Sequence, residues 1–197
     1  MKREKQPQCY VIAGPNGAGK TTFALKYLPL IASCYDFINA DEIAKGLSPL
    51  DYNAGLLQAG KIFLETLNQK IAQRKDFAFE TTLSGRTYLP RIVEWRKAGW
   101  CITLFYLYIP SVEFSAQRVR DRVLKGGHDI PPEDIVRRYP RSIRNLFAYA
   151  DVCNKTMCFD NTGNRIVSIF EKRMGRAIEV QDRERFAKIQ GDLNHER

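Results

Sequence analysis

Residues 14–21, Gly14-Pro15-Asn16-Gly17-Ala18-Gly19-Lys20-Thr21, fit the spacing G-x-x-x-x-G-K-[ST] at every position. That spacing suits the binding of phosphates. Glycines let successive backbone N–H groups curl into an anion-binding nest, and a following helix adds the positive end of its dipole. Lys20 is expected to reach the β- and γ-phosphates of a nucleotide, and Thr21 to set its hydroxyl on Mg²⁺. A bare strand-to-helix turn would need neither residue. ATP with Mg²⁺ is therefore the expected ligand of residues 14–21, with Thr22 in the same contacting set.

Two carboxylates stand where an α/β sheet collects its chemistry, beyond the carboxyl ends of strands. Asp41 follows the strand-like Phe37-Ile38-Asn39, and Glu80 ends the strand-like Phe77-Ala78-Phe79. Beside a phosphate loop, Asp41 is expected to take a proton from an acceptor hydroxyl. The competing reading of Asp41 is an N-cap for a helix beginning at Glu42. Glu80, with Thr81 and Thr82, offers an acceptor and two hydroxyls for a substrate, or simply a hydrogen-bonded loop. No apolar strand ends in a lone Asp that would serve as a separate magnesium carboxylate. Thr21 and Asp41 are therefore the expected metal-contacting residues, Asp41 serving both as base and as outer-shell ligand, with a share of that work for Glu80 as the alternative.

Arginines dominate the middle of the chain. Arg118 and Arg122 are four apart and share a helix face, whereas Arg120 points elsewhere. Gly126-Gly127-His128 follows, then Arg137, Arg138, Arg141 and Arg144. Transfer of a phosphoryl group spreads charge over its equatorial oxygens, which an arginine carried by a lid can neutralise. Arg118 and Arg122 are the expected pair for that role, and Gly126-Gly127 a plausible hinge. His128 and Arg138 are expected to touch the acceptor. A solvated basic face is the alternative for the arginines, and a structural turn for His128. Asn161, in the turn Asp160-Asn161-Thr162-Gly163, is placed beside the adenine by fold analogy alone.

The elements that would carry these residues alternate. Short apolar runs at 9–13, 37–39, 77–79, 101–109, 156–160 and 165–170 read as strands. Residues 19–27, 53–75, 89–97, 112–124 and 131–149 read as helices, with Ser111 as an N-cap and Gly99 and Gly126 as stops. That order predicts right-handed βαβ units, a mainly parallel α/β sheet flanked by helices, and a P-loop NTPase fold with a small helical lid. One domain over 1–197 is expected, with the lid at about 118–145 and a charged, loosely docked tail at about 181–197. The 197 residues carry 31 Lys and Arg against 22 Asp and Glu, a formal charge of +9 that favours polyanionic partners. Five cysteines without paired spacing argue against a disulfide framework or a zinc site. Lys2, Arg3 and Glu4 precede an apolar run too short for a leader. No stretch approaches the ~20 apolar residues of a membrane helix. A reduced, cytoplasmic protein without a membrane partner is expected.

The segments Gly14 to Thr21, Ile38-Asn39-Ala40-Asp41-Glu42, Phe79-Glu80-Thr81-Thr82 and Arg122…Gly126-Gly127-His128…Arg138-Tyr139…Arg141-Ser142 together resemble the zeta-toxin-like P-loop kinases. The similarity runs from about Cys9 to Gly163 and is greatest to the short bacterial branch often labelled predicted ABC-type ATPases, although no transporter-type signature is present. The resemblance implies ATP-dependent phosphorylation of a sugar hydroxyl, the acceptor in characterised zeta toxins being UDP-N-acetylglucosamine at its 3′-hydroxyl. It implies Asp41 as general base, Glu80 and Thr82 as acceptor-holding residues, and Arg118 or Arg122 as the first transition-state arginine. His128 stands roughly where the family has its second. A nucleotide-sugar acceptor and an antitoxin protein are the partners so implied. The rivals are a polynucleotide or nucleoside kinase, and an ATP-holding interaction module with little turnover. Nucleic acid is the weaker partner, because no aromatic stacking platform interleaves with the basic residues.

Overall fold

In the computed structural model, residues 5–194 are described. Lys2, Arg3, Glu4 and the last three residues of the charged tail lie outside the described residues. The chain begins with β1 (Gln8–Ala13), α1 (Lys20–Ala32), β2 (Phe37–Ile38), α2 (Ala40–Leu47) and α3 (Tyr52–Gln73). It continues through β3 (Phe77–Thr81), α4 (Tyr88–Lys97), β4 (Cys101–Tyr108), α5 (Val112–Leu124) and α6 (Pro132–Val152). It closes with β5 (Lys155–Asp160), β6 (Val167–Arg173), β7 (Ile178–Val180) and α7 (Arg183–Asn194).

The strands join in one sheet of order β2-β3-β1-β4-β5-β6-β7, and the first five are mutually parallel. β6 and β7 add antiparallel at one edge, where the sequence reading placed one strand and missed β7. Parallel strands buried on both faces read as continuous apolar runs, which made β1 and β4 legible. A three-residue edge strand gives no such pattern.

Side chains alternate across the sheet. Phe77 and Phe79 point to the face covered by α3 and α4, where Phe79 meets Phe63, Tyr88 and Trp95 at ring distances of 6.2, 5.1 and 6.3 Å. Tyr106, farther along the same face, shares a hydrogen bond with Ser142 of α6 at 2.9 Å. Phe79 is fully buried. Phe79→Ala is expected to cost about 3–5 kcal/mol and to lower the melting temperature by roughly 10 °C in a thermal scan. An unchanged melt would mean that this aromatic cluster is not the centre of the core.

The helices keep near the expected bounds, with α1 running on to Ala32 and α6 to Val152. Pro29 and Pro140 lie inside α1 and α6 without ending them. The tail is docked rather than loose. Ile189 is fully buried, and Phe186 packs edge-on against Phe170 and Phe147. Arg185 ties it down further through Asp160 Oδ2 at 2.6 Å. Charge along the tail hid these two apolar anchors from the composition. Ser111 caps α5 as expected, its hydroxyl accepting from Phe114 N–H at 3.1 Å. A small cluster of Val119, Ile130 and Ile135 holds the α5–α6 connection together. The cysteines are all unpaired thiols. Among the described residues no helix is long and apolar enough to cross a membrane.

Candidate functional site

The phosphate-loop sequence lies between β1 and the first turn of α1, as its spacing requires. Gly14 has φ +144°, and a Cβ there would stand 2.3 Å from the Leu107 carbonyl oxygen of β4. Gly17 has φ +73°, with a Cβ position 2.9 Å from the Ser115 carbonyl oxygen. Only glycine allows the loop to turn this tightly against its neighbours. Asn161 Nδ2 donates to the Ala18 carbonyl at 2.7 Å, and Ser115 Oγ donates to that of Asn16 at 2.6 Å. The loop is thus braced from β5 and α5.

Lys20 is 7% exposed and turns back over the loop, donating to the Pro15 carbonyl at 3.0 Å. Its ammonium lies 3.6 Å from Glu80 Oε1. The Thr21 hydroxyl donates to Glu80 Oε2 at 2.7 Å, and Asn39 Nδ2 donates to both partners at 3.2 and 3.0 Å. Burial raises the Glu80 carboxyl above its ordinary value, against the opposing pull of Lys20 and Thr21.

Asn39, not Asp41, caps α2. Its Oδ1 accepts from Asp41 N–H at 2.8 Å and from Glu42 N–H at 3.4 Å. That leaves the Asp41 carboxylate free of capping, and it meets two groups that no spacing along the chain connects to it. Tyr52 OH donates to Oδ1 at 2.7 Å, and His128 Nε2 sits 3.3 Å from Oδ2, off the line of a hydrogen bond. The Tyr52 and His128 rings stack at 4.4 Å. Burial works to raise the Asp41 carboxyl, but His128, Tyr52 and the Lys20 charge outweigh it and hold the value at about 2.

A depressed carboxyl stabilises the fold above its unfolded value of about 3.9, and that contribution is lost as pH falls through about 2. Tyr52→Phe is expected to shift the Asp41 titration upward, as read by carboxyl-carbon NMR. An unmoved titration would place the cause elsewhere.

Arg118 and Arg122 both face the loop. Arg118 donates to the Thr162 carbonyl at 2.8 Å and lies 4.8 Å from the Phe114 ring centre. Arg122 donates to the His128 carbonyl at 2.9 Å and so carries the turn that presents His128. Arg138 is paired with Asp134 at 2.6 Å.

Two cavities flank these groups. The larger, of ≈ 540 Å³, runs over the phosphate loop and Thr22 to Arg118, Lys125 and Gly126-Gly127. The other, of ≈ 380 Å³, is lined by Asn39, Asp41, Thr82, Tyr88 and the apolar Phe63 and Leu64. Both are lined by Gly17, Lys20, Glu80 and Arg122. Next to the second, Ser84, Arg86, Arg141, Arg144 and Asn145 surround a further ≈ 260 Å³. Asn145 receives Arg86 Nε at 3.0 Å, and a 2.9 Å hydroxyl contact joins Ser84 to Thr82.

The larger cavity fits a polyphosphate: its floor is the glycine loop and its walls bear Lys20, Lys45, Arg118, Arg122 and Lys125 against Glu80 and Asp121. Among the described residues no group of His, Cys, Asp and Glu side chains could hold a metal ion unaided. A magnesium ion there would depend on Thr21, a carboxylate and the nucleotide's own oxygens, the usual pattern for that ion. Thr21 has Glu80 and Asn39 as its neighbours, whereas the expected metal partner Asp41 is engaged by Tyr52 and His128.

No protein-family model matches the chain. An uncharacterised protein of Haemophilus influenzae is 30% identical over 132 residues, which cover 67% of this chain and 91% of that protein. The crystal structure of AvrRxo1-ORF1:-ORF2 with ATP superposes with a TM-score of 0.74 at 16% identity, over 94% of this chain. The chain spans 64% of the length of the protein matched there. The PezAT chromosomal toxin–antitoxin system of Streptococcus pneumoniae superposes at 0.60 and 16% identity, over 98% of this chain and 88% of the other. These likenesses place the chain in the P-loop fold, with its parallel sheet and its glycine loop between β1 and α1.

Proposed function

We propose that the chain, which belongs to the same family as the Haemophilus influenzae protein, is an ATP-dependent kinase, a reading supported by its P-loop fold and its two adjoining cavities. Its acceptor is a hydroxyl of a small anionic molecule, best matched by a nucleotide-sugar such as UDP-N-acetylglucosamine. The observation that carries this reading is the shared wall of the two cavities. A nucleotide in the larger one and an acceptor in the smaller would meet at Gly17, Lys20, Glu80 and Arg122. A binding module that only held ATP would have no use for a second cavity opening on the terminal phosphate.

In this reading the loop N–H groups and Lys20 hold the β- and γ-phosphates, and the Asn161 to Thr162 turn with Arg118 borders the base. Thr21, with Glu80 behind it, would hold the magnesium ion, which would supply charge neutralisation on the phosphates. Asp41 accepts the acceptor's proton as the acceptor oxygen attacks the γ-phosphorus and the bond from that phosphorus to the β-phosphate oxygen breaks, releasing ADP, while Arg122 offsets the charge on the migrating group. Asp41 stays ionised throughout the neutral range, and Tyr52 fixes its orientation. Thr82 and His128 lie close enough to orient the acceptor. Excluding water from the shared wall keeps transfer ahead of hydrolysis.

The acceptor's anionic part fits the arginine pocket. Arg86 and Arg141, with Ser84, lie beyond Thr82, and their guanidinium groups suit phosphate oxygens. Arg141→Ala is expected to raise the KM for a nucleotide-sugar about tenfold, with the KM for ATP unchanged, in an ADP-release assay. An acceptor KM that did not move would remove the pocket from the acceptor site. Both solved neighbours contain a second protein, one of them in a toxin–antitoxin system, which supports a protein partner for this chain as well.

A further inference from the structure

The two faces of the sheet are not equally covered. Phe79, Tyr106, Tyr108 and Phe170 mark one face, and α3, α4, α6 and α7 supply their contacts. The other face carries Tyr10, Phe105, Met157 and Phe159 on the neighbouring strands β1, β4 and β5. Its contacts come from Phe23 of α1, with ring distances of 5.6 Å to Phe105 and 6.0 Å to Phe159. Beside α1 the surface is open, as a trough of ≈ 710 Å³. Tyr27 and Ile31 of α1 form one wall, and Ile166 in the β5–β6 turn forms the other. Ile31 is 57% exposed.

Parallel sheets ordinarily have helices on both faces, because a strand buried on one side only leaves an apolar surface in water. With strands ~4.8 Å apart, the floor from β1 to β5 is ~10 Å wide. That matches the distance at which a second helix packs alongside a first. The strip beside α1, where Phe105 is buried and Tyr10, Met157 and Phe159 are half-buried, has about the width of one helix lying parallel to α1.

The rim is charged with one sign. Lys26 stands on the α1 wall, Lys155 at the floor's end and Arg165 on the turn, and among the described residues no carboxylate lines the trough. Lys155 is paired with Glu171 at 3.1 Å, outside the lining. A second copy of this chain, at +9, would bring like charges together. The Tyr10, Phe105 and Phe159 rings stand side by side, with interplanar angles of 24° and 21° at 6.2 and 6.5 Å.

We infer that this trough is the docking site for an amphipathic helix of a partner protein, with an apolar face for the aromatic floor and acidic flanks for Lys26, Lys155 and Arg165. It shares no lining residue with the phosphate cavity. The partner would therefore bind with the nucleotide site open. The inference does not depend on the kinase reading.

The probe is a fluorescein-labelled helical peptide of about five turns, with leucines at i, i+3, i+4 and i+7 and glutamates on the flanks. Its controls are the same peptide with lysines on the flanks and a scrambled peptide. Anisotropy should show binding of the acidic peptide alone, weakened about tenfold or more in K26E/R165E, which alters two exposed residues. Methyl NMR should place the shifts at Ile31, Met157 and Ile166, with nucleotide affinity and melting unchanged. Equal binding to wild type and variant, shifts at other methyls, or no binding would each overturn the inference. So would the same methyls shifting with an oligoadenylate instead, or self-association that the variant abolishes.

Discussion

Lys20→Ala is expected to lower phosphoryl transfer by about 10³-fold or more and to weaken ATP binding in the same protein. Lys20 reaches the cavity from a buried position and touches two things there, the Pro15 carbonyl and the Glu80 carboxylate. Removing it deletes the cation nearest the expected γ-phosphate, so both ground-state binding and transfer suffer. It also leaves Glu80 buried without its countercharge. Burial already raises that carboxyl, so its protonation favours the folded state, and the stability it contributes is lost as pH rises. The variant should therefore melt lower than wild type at neutral pH and regain part of that loss as the pH is lowered. Calorimetric titration with ATP separates the binding loss from the folding loss. Normal ATP affinity in the well-folded variant would remove Lys20 from the nucleotide site.

Asp41→Asn should behave differently. ATP affinity should stay within about twofold of wild type while transfer falls by roughly 10²–10⁴-fold, the range expected when a general base is lost. The amide oxygen can still accept the Tyr52 hydroxyl, and Asn39 rather than Asp41 holds the helix end, so the substitution removes a charge and leaves the scaffold. A kcat effect without a change in the KM for ATP is the signature of a group acting only on the acceptor. Full activity in this variant would transfer the base role elsewhere, with Glu80 the nearest carboxylate on the shared wall.

The parts of the site legible in the sequence are those in which local spacing carries the chemistry. The glycine loop is contiguous, and Asp41 and Glu80 are found by following strands to their ends. Arg118 and Arg122 share a face through a four-residue interval, and the structure sets both against the loop. What could not be read depends on contacts through space. Tyr52 begins α3 and His128 lies in the turn after α5, yet their rings stack on Asp41. Asn39 was read as the end of a strand, because a β-extended residue before a helix looks the same whether or not its side chain caps it. Its amide then proved to join Thr21 and Glu80. The tail misled by composition: two apolar residues, Phe186 and Ile189, dock it despite its charge. The open part of this sheet face is invisible in sequence for a related reason. Met157 and Phe159 look like core, and only the placement of α1 and the β5–β6 turn reveals that they are half-buried, with Phe23 covering part of the face.

The shared wall between the two cavities makes one demand that mass spectrometry can answer directly. The protein is incubated with ATP and Mg²⁺ in the presence of nucleotide-sugars, nucleosides and oligonucleotides, with Asp41→Asn in parallel, and the products are weighed. The expected result is one added phosphate on a nucleotide-sugar, dependent on Asp41. ATP tightly bound with no phosphorylated acceptor, or phosphate appearing only on oligonucleotide ends, would contradict it.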